Sequence, residues 1–550
     1  MYGTLTMGQA TAPETVATST PYWVYFTDKG GQTFDPYAFF DPLAIQRRKT
    51  AGIPVFDSTD IPVDPRYIRE VGSICDSIDY PSRWFNALAI YAKHDQLNTI
   101  RSLPFVSKVE AMTPMLLEPA WQTTGKLNCR QTDLLVQQTA FMEGALFKEA
   151  GLTGRGIRIA ILDAGFPGVD TDPVFQHIRS QHHIISTYDF VKKQEWVYGY
   201  STHGAMVLSC IAGIYDSIPV GLAPDAEFLL ARTENVIHEP FSEEKNWLAA
   251  VEWADKQGVQ IINSSLGYTV QRYFPEDMNG KTSLIARAAT MAASKGILVV
   301  NAAGNEGDNR WKHIASPGDA DSILTVGAIN PNTGYKSDFS SIGPTVDHRL
   351  KPNVSAFGTV MASTGHGTGN LEETSGTSFA SPLVAGFAAC AWQKDTTLTN
   401  MQMLELLQQS GHLYPYFDYA HGYGVPQASF FTKEMKIPKP TFEFAVDSTG
   451  YIEVDIRDTS GLDTMNMFAT PPLFTQREDD EHEPISAMNA SRAKPYLIYY
   501  HIANASGMLR RYAVIQVQSH TPLTLSMYQF KPGDQLSVCF RGYVHTYVFK

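Results

Sequence analysis

Four short segments of this 550-residue sequence carry side chains able to perform acyl transfer from a serine. Gly376-Thr377-Ser378-Phe379-Ala380-Ser381-Pro382 runs into the apolar stretch Leu383–Trp392, placing Ser378 at a helix N-terminus beside free backbone N–H groups. A serine there is most often a simple N-cap. The four specified residues of Gly-Thr-Ser-x-Ala, however, coincide by chance in only about one chain in a hundred of this length. His203-Gly204 opens a second apolar helix, with the imidazole in its first turn and a glycine that permits close backbone approach. Asp163 follows the apolar strand Ile157–Leu162, at the carboxyl edge where open parallel sheets place ligands. Asn305 sits in a glycine-flanked loop beyond the run Ile297–Asn301, where its amide can donate to a developing oxyanion together with the Ser378 N–H. Each residue alone has an ordinary structural reading as a cap, a turn or a helix start. Together they supply what serine chemistry requires: a nucleophile, a base, a carboxylate that orients the base, and oxyanion donors.

Elements of the right kind surround these segments. Residues 116–437 alternate short, nearly wholly apolar strands with helices, as a parallel sheet covered on both faces requires. The strands include Ile157–Leu162, Glu227–Ala231, Gln260–Asn263, Ile297–Asn301 and Ile323–Val326. Helices open at Ser242, with Gly258 as the stop, and at Ser283, ending before Gly296. The expectation is an α/β doubly wound, mostly parallel sheet. Residues 21–115 read as a separate α+β unit, with strands Tyr22–Phe26 and Trp84–Ile90, a helix Gln96–Leu103 capped by Asp95, and an extended run Phe105–Glu110. After Pro438-Lys439-Pro440 the pattern becomes strands and turns: Phe442–Val446, Tyr451–Ile456, Tyr496–His501, Arg511–Val517, Leu523–Tyr528 and Leu536–Phe549. Residues 438–550 are therefore expected to form a β-sandwich, with Arg477–Glu483 as a solvated loop. Residues 1–20 lack a basic n-region, but Leu5–Ala12 ends in small residues as a signal peptide does, and the stretch is read as the remnant of a leader.

Composition narrows the partners. A formal net charge of -13 argues against a nucleic-acid ligand, whose phosphates need clustered Lys and Arg. No run of eighteen apolar residues is present, so no transmembrane helix is expected. Cys75, Cys129, Cys210, Cys390 and Cys539 lack the spacing of a zinc site or a disulfide framework, and no metal ligand set is assigned.

With these residues in the order Asp…His…Ser, the sequence resembles the subtilase family of serine proteases. Further segments carry the likeness: Gly221-Leu222-Ala223-Pro224-Asp225-Ala226, Asn263-Ser264-Ser265-Leu266-Gly267, Phe339-Ser340-Ser341-Ile342-Gly343-Pro344 and Lys351-Pro352-Asn353-Val354. Two positions depart from the family pattern: Ala164 follows the Asp where many members have Thr or Ser, and Asn353 replaces a frequent Asp. The resemblance implies an Asp163/His203/Ser378 triad with Asn305 as an oxyanion donor. It implies that Ser265, Leu266 and Gly267 pair with the backbone of a protein or peptide substrate, and that Ala302, Ala303 and Gly304 line the pocket for the residue at the scissile bond. No cofactor is expected for the chemistry. Structural calcium is compatible with the family, although no compact run of carboxylates marks a site. Residues 21–115 resemble the family's inhibitory prodomain, through Leu97–Leu103 and Pro104-Phe105-Val106. A linker at about Ala111–Gly125 is expected to be cut by the enzyme itself. A secreted or cell-envelope precursor is the implied form.

Overall fold

The computed structural model describes residues 19–112, 127–235, 242–269, 273–434, 438–458, 496–517 and 519–550. Nearly all of the leader and of the expected linker, and the whole loop 477–483, lie outside the described residues.

Seven strands form one parallel sheet in the order Val354–Phe357, Leu324–Ile329, Leu298–Ala302, Ile261–Ser264, Arg158–Asp163, Glu227–Arg232 and Ile184–Asp189. Every residue of Arg158–Asp163, Leu298–Ala302 and Leu324–Ile329 is buried, which explains their mostly apolar character. Alternation along the first strand divides the core. Ile159 and Ile161 meet the helices His203–Ala212 and Thr377–Lys394, whereas Ala160 and Leu162 face Ser242–Lys256 and Leu284–Ser294. The chain leaves Arg158–Asp163 toward one edge and later returns to its other side with Ile261–Ser264. That reversal opens a crevice at the carboxyl ends of these two strands. The sequence reading omitted Ile184–Asp189 and Val354–Phe357. The former is an edge strand with polar, half-exposed Ser186 and Thr187, and the latter has only four residues.

The N-terminal unit is a four-stranded antiparallel sheet in the order Ser77–Ser82, Ala87–Ala92, Thr20–Phe26 and Val106–Ala111. Its helix Gln96–Arg101 lies where expected. The strand expected from Trp84 begins only at Ala87, because residues 83–86 form a turn ending in Asn86 at φ 47°. Three further helices, Pro36–Phe39, Pro42–Thr50 and Pro65–Gly72, escaped the sequence reading although each carries a start signal. Asp35, Asp41 and Asp64 each accept a backbone N–H two residues on, and a proline follows each as the first helical residue. One face of the sheet covers the unit's own core around Val24, Leu88 and Ile90. The other face lays Trp23, Ala87 and Ala89, with Trp84, on Trp247, Leu248 and Ile285 of the parallel-sheet domain's two outer helices.

The C-terminal region forms two antiparallel sheets around a common core that includes Phe442, Val454, Ile498, Leu536 and Val538. One sheet holds Phe442–Val446, Tyr451–Ile456 and Leu523–Ser526, and the other Leu509–Gln516, Leu497–Ala503, Gln535–Phe540 and Tyr543–Val548. The last expected strand, Leu536–Phe549, is in fact a hairpin. Arg541 and Gly542 both adopt left-handed backbone angles, φ 52° and 75°, and turn the chain back on itself. Tyr499 and Cys539 of this region pack against Leu413 and Tyr416 of the parallel-sheet domain, so the two share an apolar seam.

Candidate active site

Asp163 ends its strand in the crevice with no exposed surface. Its Oδ1 accepts the Ala164 N–H at 2.8 Å and lies 2.8 Å from His203 Nδ1. A carboxylate oxygen can only accept, so the proton sits on Nδ1 and Nε2 is left as the basic nitrogen. Gly204 makes this pairing feasible. A Cβ there would stand 2.3 Å from the Gly165 carbonyl oxygen and 3.0 Å from Asp163 Cβ, forcing the helix away from the strand. Burial alone would lower the His203 pKa, but the charge of Asp163 and its hydrogen bond outweigh burial and raise it.

Ser378 is the second residue of the helix Thr377–Lys394 and is half-buried. Its Oγ donates to the Ser265 carbonyl at 3.1 Å, and the Ser265 hydroxyl donates in return to the Ser378 carbonyl at 2.8 Å. Asn263 extends the link, donating to Ser265 Oγ at 3.1 Å and accepting the Ser381 hydroxyl at 2.9 Å. The next residue along, Phe379, lies with its ring 5.5 Å from the His203 ring. The start of the serine helix therefore abuts both the strand-end segment Ser265–Gly267 and the imidazole.

Asn305 is exposed and oriented by Thr377. The Thr377 N–H and hydroxyl both donate to Asn305 Oδ1, each at 2.9 Å. A backbone N–H can only donate, which fixes the amide and leaves Nδ2 as its outward donor. Thr377 Oγ1 also accepts the Gly304 N–H at 3.2 Å. Gly304 adopts φ 107°, and a Cβ there would approach Ala315 Cβ and Ser341 Oγ to 2.9 Å, so only glycine fits. Thr377 is thus the residue whose part the sequence reading passed over. Its signal in the sequence is its place beside Ser378 in the Gly-Thr-Ser motif.

The segments expected to bind substrate border the same crevice. Leu266 and Ala302 are nearly buried and Ala303 is fully so. The Leu266 carbonyl accepts the Asn301 amide at 3.1 Å, and the Ala303 N–H donates to the Val326 carbonyl at 2.9 Å. The Ala303 N–H is therefore already taken within the sheet. Among the described residues, no group of three or more His, Cys, Asp or Glu side chains is gathered to hold a metal. No helix among them is long and apolar enough to cross a membrane.

Residues 154–424 match the model of the subtilase family, and residues 21–126 match a peptidase S8 propeptide domain of Bacteroidota. Subtilisin NAT of Bacillus subtilis subsp. natto is 31% identical over 264 residues, covering 47% of this chain and 61% of that protein. Serine protease AprX of Bacillus subtilis (strain 168) is 29% identical over 286 residues, with the same coverage. A subtilisin of Bacillus pumilus is 31% identical over 264 residues and is covered to 85% of its length. The chain thus spans 61% of the length of the first two relatives.

Proposed function

Because the chain belongs to the subtilase family and carries that family's propeptide domain, we propose that it is a serine endopeptidase made as a self-processing, secreted zymogen. The observation that carries this reading is the buried Asp163 bonded to His203 Nδ1, beside a helix-start serine and an amide oriented by Thr377.

In the proposed mechanism, a peptide lies along Ser265–Gly267 as an added strand, its scissile carbonyl over Ser378. The Ser378 hydroxyl turns from the Ser265 carbonyl toward His203 Nε2, which takes its proton as the oxygen attacks. Asp163 holds the imidazole in the required tautomer and stabilises the imidazolium. Asn305 Nδ2 and the Ser378 N–H receive the oxyanion, and loss of one such side-chain donor in subtilisin costs about 10²–10³ in kcat. The acyl-enzyme forms as His203 returns the proton to the leaving amine, and a water activated by the same imidazole releases the product.

Contact between the N-terminal sheet and the two outer helices supports its role as an intramolecular inhibitor of the attached enzyme, with the segment beyond Met112 as the cut site. The test is to incubate the purified precursor with casein beside a Ser378→Ala twin, following caseinolysis and the precursor mass. The reading requires the wild type to shed a fragment ending between about residues 111 and 125 and to digest casein, while the twin does neither. Two inert proteins, even after the prodomain is nicked by an added protease, would exclude it.

A further inference from the structure

The loop that leads into His203 presents two aromatic rings that the mechanism does not use. Trp196 is 50% exposed and Tyr200 is 38% exposed, and their rings meet edge to face with centroids 5.8 Å apart. Trp196 lies over Gly199, where a Cβ would stand 2.4 Å from its ring. Beneath Tyr200 is the guanidinium of Arg232, 3.5 Å from the ring centroid. That guanidinium is almost fully buried, pairs with Asp189 at 2.9 Å, and donates through Nε to the Ala164 carbonyl at 3.2 Å. Ala164 adjoins Asp163, so the support of the Tyr200 ring runs directly to the backbone of the triad.

The backbone shows the same placement. Tyr200 adopts φ 72°, a left-handed conformation that is rare for a bulky residue. It is held by a bridge to Gly165, itself in a position where a Cβ would lie 2.2 Å from the Gly199 carbonyl oxygen. Conformations of this kind persist where their surroundings over-determine them, and they concentrate at ligand sites. Gln194 steadies the far edge, donating to the Tyr200 hydroxyl at 3.3 Å and to the Trp196 carbonyl at 3.4 Å.

We propose that Trp196 and Tyr200 form a fixed aromatic shelf that selects a bulky apolar side chain close to the scissile bond of the substrate. The inference rests on the peptidase reading and names part of its specificity. The inner face of the Tyr200 ring is already taken by a cation, which draws on the ring's negative face and disfavours a second cation on the outer side. The outer face and the Trp196 ring offer apolar area instead, already rigid, so little ordering entropy opposes binding. Leu or Phe fits this surface, and Lys or Arg does not.

The experiment uses the self-processed full-length protein and peptides carrying Phe, Leu, Ala or Lys at each position flanking one scissile bond. At one position, Phe and Leu should exceed Ala and Lys by about tenfold or more in kcat/KM. Trp196→Ala and Tyr200→Ala should each reduce that ratio to about twofold. Trp196→Ala guards the test against misfolding, because its ring is half exposed. Binding of the same peptides to the Ser378→Ala protein, its prodomain removed by an added protease, reads the shelf without chemistry. A wild type that cleaves nothing, with Phe-peptide binding still weakened by Trp196→Ala, would end the peptidase reading and keep the shelf. An unchanged Phe-to-Ala ratio, an equal loss for every peptide, or no peptide binding at all would overturn the shelf.

Discussion

Pro382 lies four residues beyond Ser378 in the same helix, and because proline has no N–H, the Ser378 carbonyl accepts the Ser265 hydroxyl at 2.8 Å instead. The N–H that would otherwise close the helical turn is replaced by a bond from the strand-end segment Ser265–Gly267. The helix start is thereby tied to the strand end it must serve. Ser265→Ala leaves that carbonyl without its donor and the Asn263 amide without its acceptor, and should cost about 1–3 kcal/mol in urea unfolding. Adding Pro382→Ala restores an intrahelical N–H to the Ser378 carbonyl and should recover the part of the loss that belongs to it. A double variant no more stable than the single one would show that the missing N–H is not the reason for the bond.

The raised pKa of His203 gives activity a defined acid limb. The base must be neutral to accept the Ser378 proton, so kcat/KM should rise with pH through a midpoint above the ordinary 6.5. Asp163→Asn removes the charge that raises the pKa and reverses the tautomer preference. It should move the midpoint down and lower kcat by about 10⁴. The sign for stability is opposite: a raised His pKa stabilises the fold fully below 6.5 and loses that contribution as pH rises through the folded value. A pH–rate profile beside denaturant unfolding at several pH values checks both.

Much of this arrangement was legible in the sequence because strands buried on both faces leave an unmistakable apolar run. Arg158–Asp163 and Leu298–Ala302 are examples, and the residues after such runs fall at the crevice by topology. Asp163 and Asn305 are legible in this way, whereas His203 and Ser378 are legible from the apolar helices they open. What escaped lacked that signal. Ile184–Asp189 is a half-exposed edge with no continuous apolar run, and the hairpin at Arg541-Gly542 interrupts one continuous β-rich stretch with no proline or Asn-Gly. The support of Tyr200 by Arg232 joins residues on different elements, and no local pattern reports it.

Asn353 departs from the family pattern in a place with a consequence. The Lys351 ammonium is 2% exposed and donates only to neutral groups, the Ile323 carbonyl at 2.7 Å and Thr325 Oγ1 and Asn353 Oδ1 at 2.9 Å. Burial lowers its pKa to about 7. Between there and the ordinary 10.5 the unfolded chain binds the extra proton, so this group adds stability as pH rises across that window. Asn353→Asp keeps the acceptor for Lys351 and for the Thr325 N–H at 2.8 Å, and Gln408 can turn its amide to donate to the new carboxylate. Stability at pH 7 should rise by about 1 kcal/mol, the difference between a neutral and a charge-assisted hydrogen bond, and the slope above pH 7 should flatten. Denaturant unfolding at pH 7 and 9 measures both, and an unchanged slope would mean that Lys351 is not its source.

Asp255, on the outer helix Ser242–Lys256, is gripped by the N-terminal unit through Arg48 at 2.9 Å and Arg83 at 2.8 Å, with Arg47 as a third partner. All four side chains are buried. Burial would raise the Asp255 pKa, but the three guanidinium groups override it and hold the carboxyl well below the usual range. Breaking such a cluster from one side leaves buried cations short of a counter-charge, at a cost of about 3–5 kcal/mol. The clamp lies on residues 47–83 and not on the linker, so cutting the linker alone should leave the N-terminal unit bound. After processing, the wild-type fragments should co-elute in gel filtration and casein cleavage should lag. Asp255→Asn should separate the fragments and shorten the lag. Co-elution that survives Asp255→Asn would place the binding energy in the apolar contact of Trp23 and Trp84 with Trp247 instead.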